Sequence, residues 1–230
     1  MRLQAVILAG GPGTRLRPLT DRVPKPMVPV AGRPYLEYQV DWLRRLGIVD
    51  IVLLVGYLAE KIEEHFGDGG AFGVSIRYSR EPQPAGTGGA LQFALPLLQD
   101  SFLVLNGDSY LPIDYRPVAE RLEGSDAEAV IVAYDNAYED TGVRNNLEMG
   151  DGDLVLRYDK SGAAPVTHVD AGVIALRRRA LCEGNVVSLE NDLFPRLIGR
   201  RALLAFPVRQ RFYDMGTPAG LAMLEAFLKQ

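Results

Sequence analysis

The chain has 230 residues, 47% hydrophobic and 23% charged, with a formal net charge of −4 and a pI near 5.3. That length suffices for one sizeable α/β domain with a buried core, and the acid excess argues against a nucleic-acid surface, which needs a basic stripe. The lone cysteine, Cys182, excludes an internal disulfide and a cysteine zinc site, and is expected to be a small buried hydrophobe.

Met1 to Gln4 lead straight into an apolar segment, and no apolar run approaches the length of a membrane span. The expectation is a cytoplasmic protein without a membrane partner. Residues 5–8 predict the first strand, which runs into Ala9-Gly10-Gly11-Pro12-Gly13-Thr14-Arg15. Glycines there let the backbone turn sharply and approach a ligand, because no Cβ intervenes. Successive N–H groups in such a turn form an anion cradle. Arg15 adds a forked cation suited to phosphate, and Lys25, in Pro24-Lys25-Pro26, adds a point charge. One polyphosphate would meet all of these at once.

Downstream, apolar residues at Tyr35, Leu36, Val40, Leu43 and Leu46 give helical spacing over 35–46, with Trp42 in the core and Gly47 as the stop. Strands are expected at 51–55, 75–78 and 102–105, with helices at 59–66 and 90–98 between them. This alternation predicts a Rossmann-like, mostly parallel sheet flanked by helices. Three of the strands end in glycine-rich or polar turns (Gly10-Gly11, Gly56-Tyr57, Asn106-Gly107-Asp108), which is where open parallel sheets bind ligands. Residues 129–134 read as another core strand. Beyond it, 146–149, 154–158 and 171–176 read as shorter strands of a small sub-lobe, and 189–198 (capped by Ser188) and 218–229 as closing helices. The whole is expected to be one domain, 1–230, with halves 1–135 and 136–230.

Two aspartates stand out. Asp108 follows a strand end, where a carboxylate can hold a hard divalent cation such as Mg²⁺, which takes one or two carboxylates and completes its shell with phosphate oxygens. Asp214, in Tyr213-Asp214-Met215-Gly216-Thr217-Pro218, precedes a helix, where capping is the ordinary alternative. His65 and His168 have no companions and receive no catalytic role.

The combination Gly10-Gly11-Pro12-Gly13-Thr14-Arg15-Leu16 followed by Pro24-Lys25-Pro26 resembles the signature of the sugar-phosphate nucleotidyltransferases, and the similarity extends along the chain. The resemblance implies the nucleotide-diphospho-sugar transferase fold, with the later strands as a sugar-binding sub-lobe. It implies a nucleotide site of Leu8, Ala9, Gly10, Gly11, Gly13, Thr14, Arg15, Lys25, Glu81, Gly86, Asn106 and Asp108, with Arg15, Lys25 and Asp108 catalytic. Asp108 and Asp214 would share Mg²⁺. Gly142, Lys160, Asp170 and Gly172 would hold the sugar 1-phosphate, although Asp159-Lys160-Ser161 departs from the family's Glu-Lys-Pro.

The loop Glu81-Pro82-Gln83-Pro84-Ala85-Gly86 would read the base. A carboxylate only accepts hydrogen bonds, so Glu81 suits the paired N1–H and N2–H donors of guanine. Glu81 thus favours GTP and the resemblance favours a heptose or mannose 1-phosphate, with uridylyl or thymidylyl transfer to another sugar 1-phosphate the alternative. Monomer and homodimer both remain open. Two other classes compete: a nucleotide-sugar-binding module without catalysis, disfavoured because Arg15, Lys25, Asp108 and Asp214 are all present, and a nicotinamide oxidoreductase. The latter needs an acidic residue after the second strand, where Gly56-Tyr57 stand instead.

Overall fold

The structure is a computed structural model and describes residues 3–161 and 166–229; Met1 and Arg2, invoked above for the start of the chain, lie outside them. Its centre is a seven-stranded sheet made of β1 (Gln4–Leu8), β2 (Asp50–Val55), β3 (Ser75–Arg80), β4 (Ser101–Asn106), β5 (Ala129–Tyr134), β6 (Val169–Arg177) and β7 (Leu203–Val208), in the order β7-β5-β6-β4-β1-β2-β3. β1 pairs in parallel with both β2 and β4, β2 with β3, and β7 with β5. Only β6 opposes its neighbours, running antiparallel to β4 and β5. The sheet is therefore mixed and mostly parallel, as the alternating pattern predicts.

The central strands carry apolar side chains on both faces, because helices cover both. All six residues of β5 are buried. Ala5 and Ile7 of β1 face a core shared with α1 (Tyr35–Arg45), α2 (Ala59–Phe66) and α4 (Arg116–Glu123), while Val6 faces α3 (Gly86–Phe93) and α5 (Phe194–Gly199). A third cluster packs Tyr35 of α1 and Leu16 against Met215 and against Leu224 of α6 (Pro218–Leu228), tying the later part of the chain to its beginning. Gly47 takes φ +76° just past α1, the left-handed stop expected there.

Several expectations need correction. Residues 171–176 do not belong to a sub-lobe: they lie within nine-residue β6, in the middle of the main sheet. What stands apart from the main sheet there is a two-stranded ribbon, Leu147–Met149 with Val155–Tyr158. The helix expected at 90–98 begins four residues earlier, at Gly86, and ends at Phe93. The helix expected at 189–198 is a π-type turn, Leu189–Leu193, followed by α5; Ser188 does cap it, accepting from Asn191 N–H at 3.0 Å. Cys182 is exposed rather than buried. Trp42 is half-buried and donates its indole N–H to Ile113 O at 3.0 Å. Among the described residues no helix is long and apolar enough to cross a membrane.

Candidate active site

The chain leaves β1 toward β2 and β3, then crosses to place β4 on β1's other side. That reversal opens a crevice beyond the strands' carboxyl ends. A cleft of about 760 Å³ lies there. Each adjoining strand feeds it a turn: Gly10 to Arg15 after β1, Gly56-Tyr57 after β2, Glu81 after β3 and Asn106-Gly107-Asp108 after β4. Of the residues expected at the site, Leu8, Ala9, Gly10, Gly11, Gly13, Thr14, Arg15, Lys25, Glu81, Gly86, Asn106, Asp108 and Lys160 all line this single cleft.

The glycine loop is shaped for an anion. Gly13 adopts φ +61°, and its carbonyl accepts from Thr20 Oγ1 at 2.8 Å and Leu16 N–H at 3.0 Å. The N–H groups of Gly11, Gly13 and Thr14 have no acceptor among the described residues, so they remain available to phosphate oxygens. A Cβ at Gly11 would meet nothing within 4 Å. Gly107 has the opposite reason for being glycine: a Cβ there would come within 2.3 Å of Leu8 O, so only glycine lets the β4 turn close against β1.

Asp108 is held from three sides. Lys25 Nζ pairs with its Oδ2 at 2.5 Å. Buried Gln39 of α1 donates from one amide nitrogen to Asn106 O at 2.8 Å and Ser109 O at 3.0 Å, bracketing the turn. Met215 N–H donates to Asp108 O at 2.9 Å. The last contact belongs to a short ribbon in which Asp214 pairs with Ser109, so residues over 100 apart in sequence meet. Burial, then the facing charge of Asp108, raises the Asp214 carboxyl above the ordinary aspartate range. Asp214 accepts from Gly216 N–H at 2.6 Å, and the cap of α6 is Thr217, not Asp214. The guanidinium of Arg15 lies beside Gly216, bringing it to the same place.

Among the described residues there is no group of three or more histidine, cysteine, aspartate or glutamate side chains placed to hold a metal. Two adjacent carboxylates are nevertheless what a Mg²⁺-like cation asks of a protein when phosphate oxygens complete its shell. The oxygen-only donor pair Asp108 and Asp214 fits that requirement.

Glu81 has two roles. Its Oε2 accepts from Ala85 N–H at 3.0 Å, closing the loop on itself, while Oε1 lies against Gly10 and Gly56, near enough that a Cβ at either would stand 3.0 or 2.7 Å from it. Both oxygens are therefore not equally free for a base. Gly86, at φ +77°, is pressed against Val187 O, and the N–H groups of Gly88 and Gly89 donate to that carbonyl. Its glycine thus serves packing beneath the cleft as well as lining it.

Asp214, Asp170, Gly172 and Gly142 are not among the residues that line the cleft. Gly172 abuts Ser109 and Asn106, directly behind the β4 turn. Half-buried Asp170 accepts from Tyr158 Oη at 3.0 Å and Gly172 N–H at 2.8 Å, and burial raises its carboxyl above the usual range. Gly142 sits in the loop after β5, its N–H on Asp140 and its nearest outside neighbour Met223.

Three residues escape sequence reasoning. Glu190 lines the cleft and pairs with Lys160 at 2.7 Å. Gln39 carries the Asp108 turn, and Tyr35, fully buried with its hydroxyl unpartnered among the described residues, is raised well above 10 by burial and the charge of Asp108. Tyr35 reads only as an apolar position of α1, and Gln39 is not among that helix's apolar positions. Their one signal is a polar atom on a helix face that otherwise packs.

Fold and site together define an α/β protein whose glycine loop, with free N–H groups, shares a crevice at the strands' carboxyl ends with Arg15, Lys25 and Asp108. Residues 4–142 match the model of the nucleotidyl transferase family, and the chain belongs to that family. It is 32% identical over 224 residues to a mannose-1-phosphate guanylyltransferase of Mycobacterium tuberculosis, covering 94% of this chain and 62% of that protein. It is 43% identical over 112 residues to a D-glycero-alpha-D-manno-heptose 1-phosphate guanylyltransferase of Campylobacter jejuni, and 46% over 117 to an N-acetylmuramate alpha-1-phosphate uridylyltransferase of Neisseria meningitidis. Each of those matches covers 49% of this chain and 50% of the relative, so the chain spans 50–62% of these curated relatives' lengths, less than two thirds of any of them. Among solved structures, HddC from Yersinia pseudotuberculosis complexed with GMP-PN superposes with a TM-score of 0.84 at 27% identity, covering 98% of this chain and 99% of that one.

Proposed function

We propose that the protein transfers a nucleotidyl group from a nucleoside triphosphate to a sugar 1-phosphate, releasing pyrophosphate, with GTP and a heptose or mannose 1-phosphate as the favoured pair. The observation that carries this is the convergence, in one cleft, of the free N–H groups of the glycine loop, Arg15, Lys25, Asp108 and Lys160. In this reading an oxygen of the sugar phosphate attacks the α-phosphorus in line, a new P–O bond forms, and the bond to the β-phosphate breaks. No covalent enzyme intermediate is needed, so the chain's work is positioning and neutralising charge.

The Gly10 to Thr14 backbone wraps the triphosphate, and Arg15 meets the departing β- and γ-phosphates. Lys25, on Asp108 in the free protein, reaches the α-phosphate. Lys160 holds the attacking phosphate, with Asp170, Gly172 and Gly142 toward the sugar. Asp108 and Asp214 would hold Mg²⁺, which supplies positive charge at the α-phosphoryl oxygen when bound. Glu81 favours guanine, and the guanylyltransferases among the relatives agree with it. The uridylyltransferase relative supports UTP as the second reading. Pyrophosphate release measured for GTP, UTP, dTTP and ATP against a panel of sugar 1-phosphates tests both. No release with any pair would refute the assignment.

A further inference from the structure

Glu190 is held more firmly than the lysine it pairs with. Its Oε2 accepts from Thr87 Oγ1 at 3.1 Å and Ser188 Oγ at 3.0 Å. Both hydroxyls are themselves oriented, because Thr87 Oγ1 accepts Leu189 N–H at 2.9 Å and Ser188 Oγ accepts Asn191 N–H at 3.0 Å. With those backbone donors in place, each hydroxyl proton is directed to Glu190. Asp192 takes the Val187 and Ser188 N–H groups on one oxygen and pins the segment's start. Glu190 Oε1 is left facing Lys160 Nζ at 2.7 Å. The Lys160 side chain is 58% exposed, against 23% for Glu190, so the rigid partner is the carboxylate and the mobile one the ammonium.

We infer that Glu190 is a positioning residue: it holds Lys160 so that the ammonium's remaining N–H donors point into the cleft, toward the attacking phosphate. The inference rests on the functional reading above. An unrestrained lysine has four rotatable bonds to order on gripping its substrate, and a fixed anchor removes part of that cost before binding. Thr87 lies in the first turn of α3, directly after the loop that carries Glu81. The Glu190 network therefore joins the nucleotide side of the cleft to the sugar-phosphate side.

Glu190→Gln separates this role from a structural one. Its amide oxygen still accepts from Thr87 and Ser188, but the NH₂ then facing Lys160 cannot accept. The expected result is an unchanged melting temperature and nucleotide KM, with kcat lower by about 10- to 100-fold, since misplacing a reacting group by about 1 Å costs on that order. In a Lys160→Ala background the same substitution should change kcat by less than about twofold, because residues acting as one unit are non-additive. Wild-type kcat in Glu190→Gln, or an equal loss in both backgrounds, would overturn the inference. So would a lower KM for sugar phosphate at full kcat, which would make Glu190 only a repelling charge. A wild-type protein that releases no pyrophosphate from any pair would instead overturn the functional reading, and this inference with it.

Discussion

Replacing Glu81 by Gln probes base selection at a group whose geometry decides the outcome in advance. Glu81 Oε2 is engaged by Ala85 N–H at 3.0 Å, and only an acceptor satisfies that donor. The glutamine amide oxygen must therefore take the Oε2 place, which turns its NH₂ toward Gly10 and Gly56, where Oε1 now lies. A guanine N–H that meets an acceptor in the wild type would meet a donor in the variant. Hydrogen bonds to charged groups contribute about 1.5–3 kcal/mol, which is roughly a 10- to 150-fold loss in kcat/KM for GTP. Uracil and thymine present a carbonyl beside their ring N–H, so UTP and dTTP should lose little. The assay is kcat/KM by pyrophosphate release for each nucleotide at a fixed sugar 1-phosphate. Equal losses for all nucleotides would show that Glu81 only ties its loop to Ala85, and the case for guanine from this residue would fail.

Other expectations follow from the same geometry. Asp108→Asn and Asp214→Asn should each lower turnover by orders of magnitude, with the double variant little worse than either single; fully multiplicative losses would argue against one shared ion. Gly107→Ala puts a Cβ 2.3 Å from Leu8 O, where only backbone can yield. Strain of about 1–3 kcal/mol should lower the melting temperature by roughly 2–12 °C. Asp170→Asn carries a pH signature. Burial holds the folded Asp170 carboxyl above its ordinary value, so the folded chain keeps a proton that the unfolded chain gives up, and stability falls as pH rises through that window. The asparagine variant should therefore melt higher than wild type near pH 7, and the gap should close toward the ordinary aspartate value of 3.8. A gap independent of pH would assign it to packing instead.

The expected site residues that the fold gathers into one cleft are mostly those encoded within a few residues of a strand end. The glycine loop and Asn106-Gly107-Asp108 directly follow apolar runs, and Glu81 follows the mixed strand 75–80; they meet because parallel strands align their carboxyl ends. What escaped depends on long-range pairing. Residues 171–176 carry apolar side chains without alternation, which marks burial on two faces but not which sheet receives the strand; only pairing with β4 and β5 decides that. α3 begins with Gly86-Thr87-Gly88-Gly89, a poor helix former, yet Val187 O takes the Gly88 and Gly89 N–H groups, and Val186 leaves no room for a Cβ at Gly88. α4 shows only Val118 and Leu122 as an apolar face, too few for periodicity to register. β7 holds an exposed Pro207, which breaks a strand pattern but is tolerated at the sheet's edge. Glu190 falls in the stretch expected as a closing helix, and nothing local in the sequence pairs it with Lys160, 30 residues away.

The most direct test of the central claim is pyrophosphate release by the purified protein with GTP and either D-glycero-α-D-manno-heptose 1-phosphate or mannose 1-phosphate, with and without Mg²⁺. The account requires release only when nucleotide, sugar phosphate and divalent cation are all present, and its loss in Lys25→Ala. Release without the sugar phosphate, or none with any nucleotide and sugar 1-phosphate supplied with Mg²⁺, would contradict it.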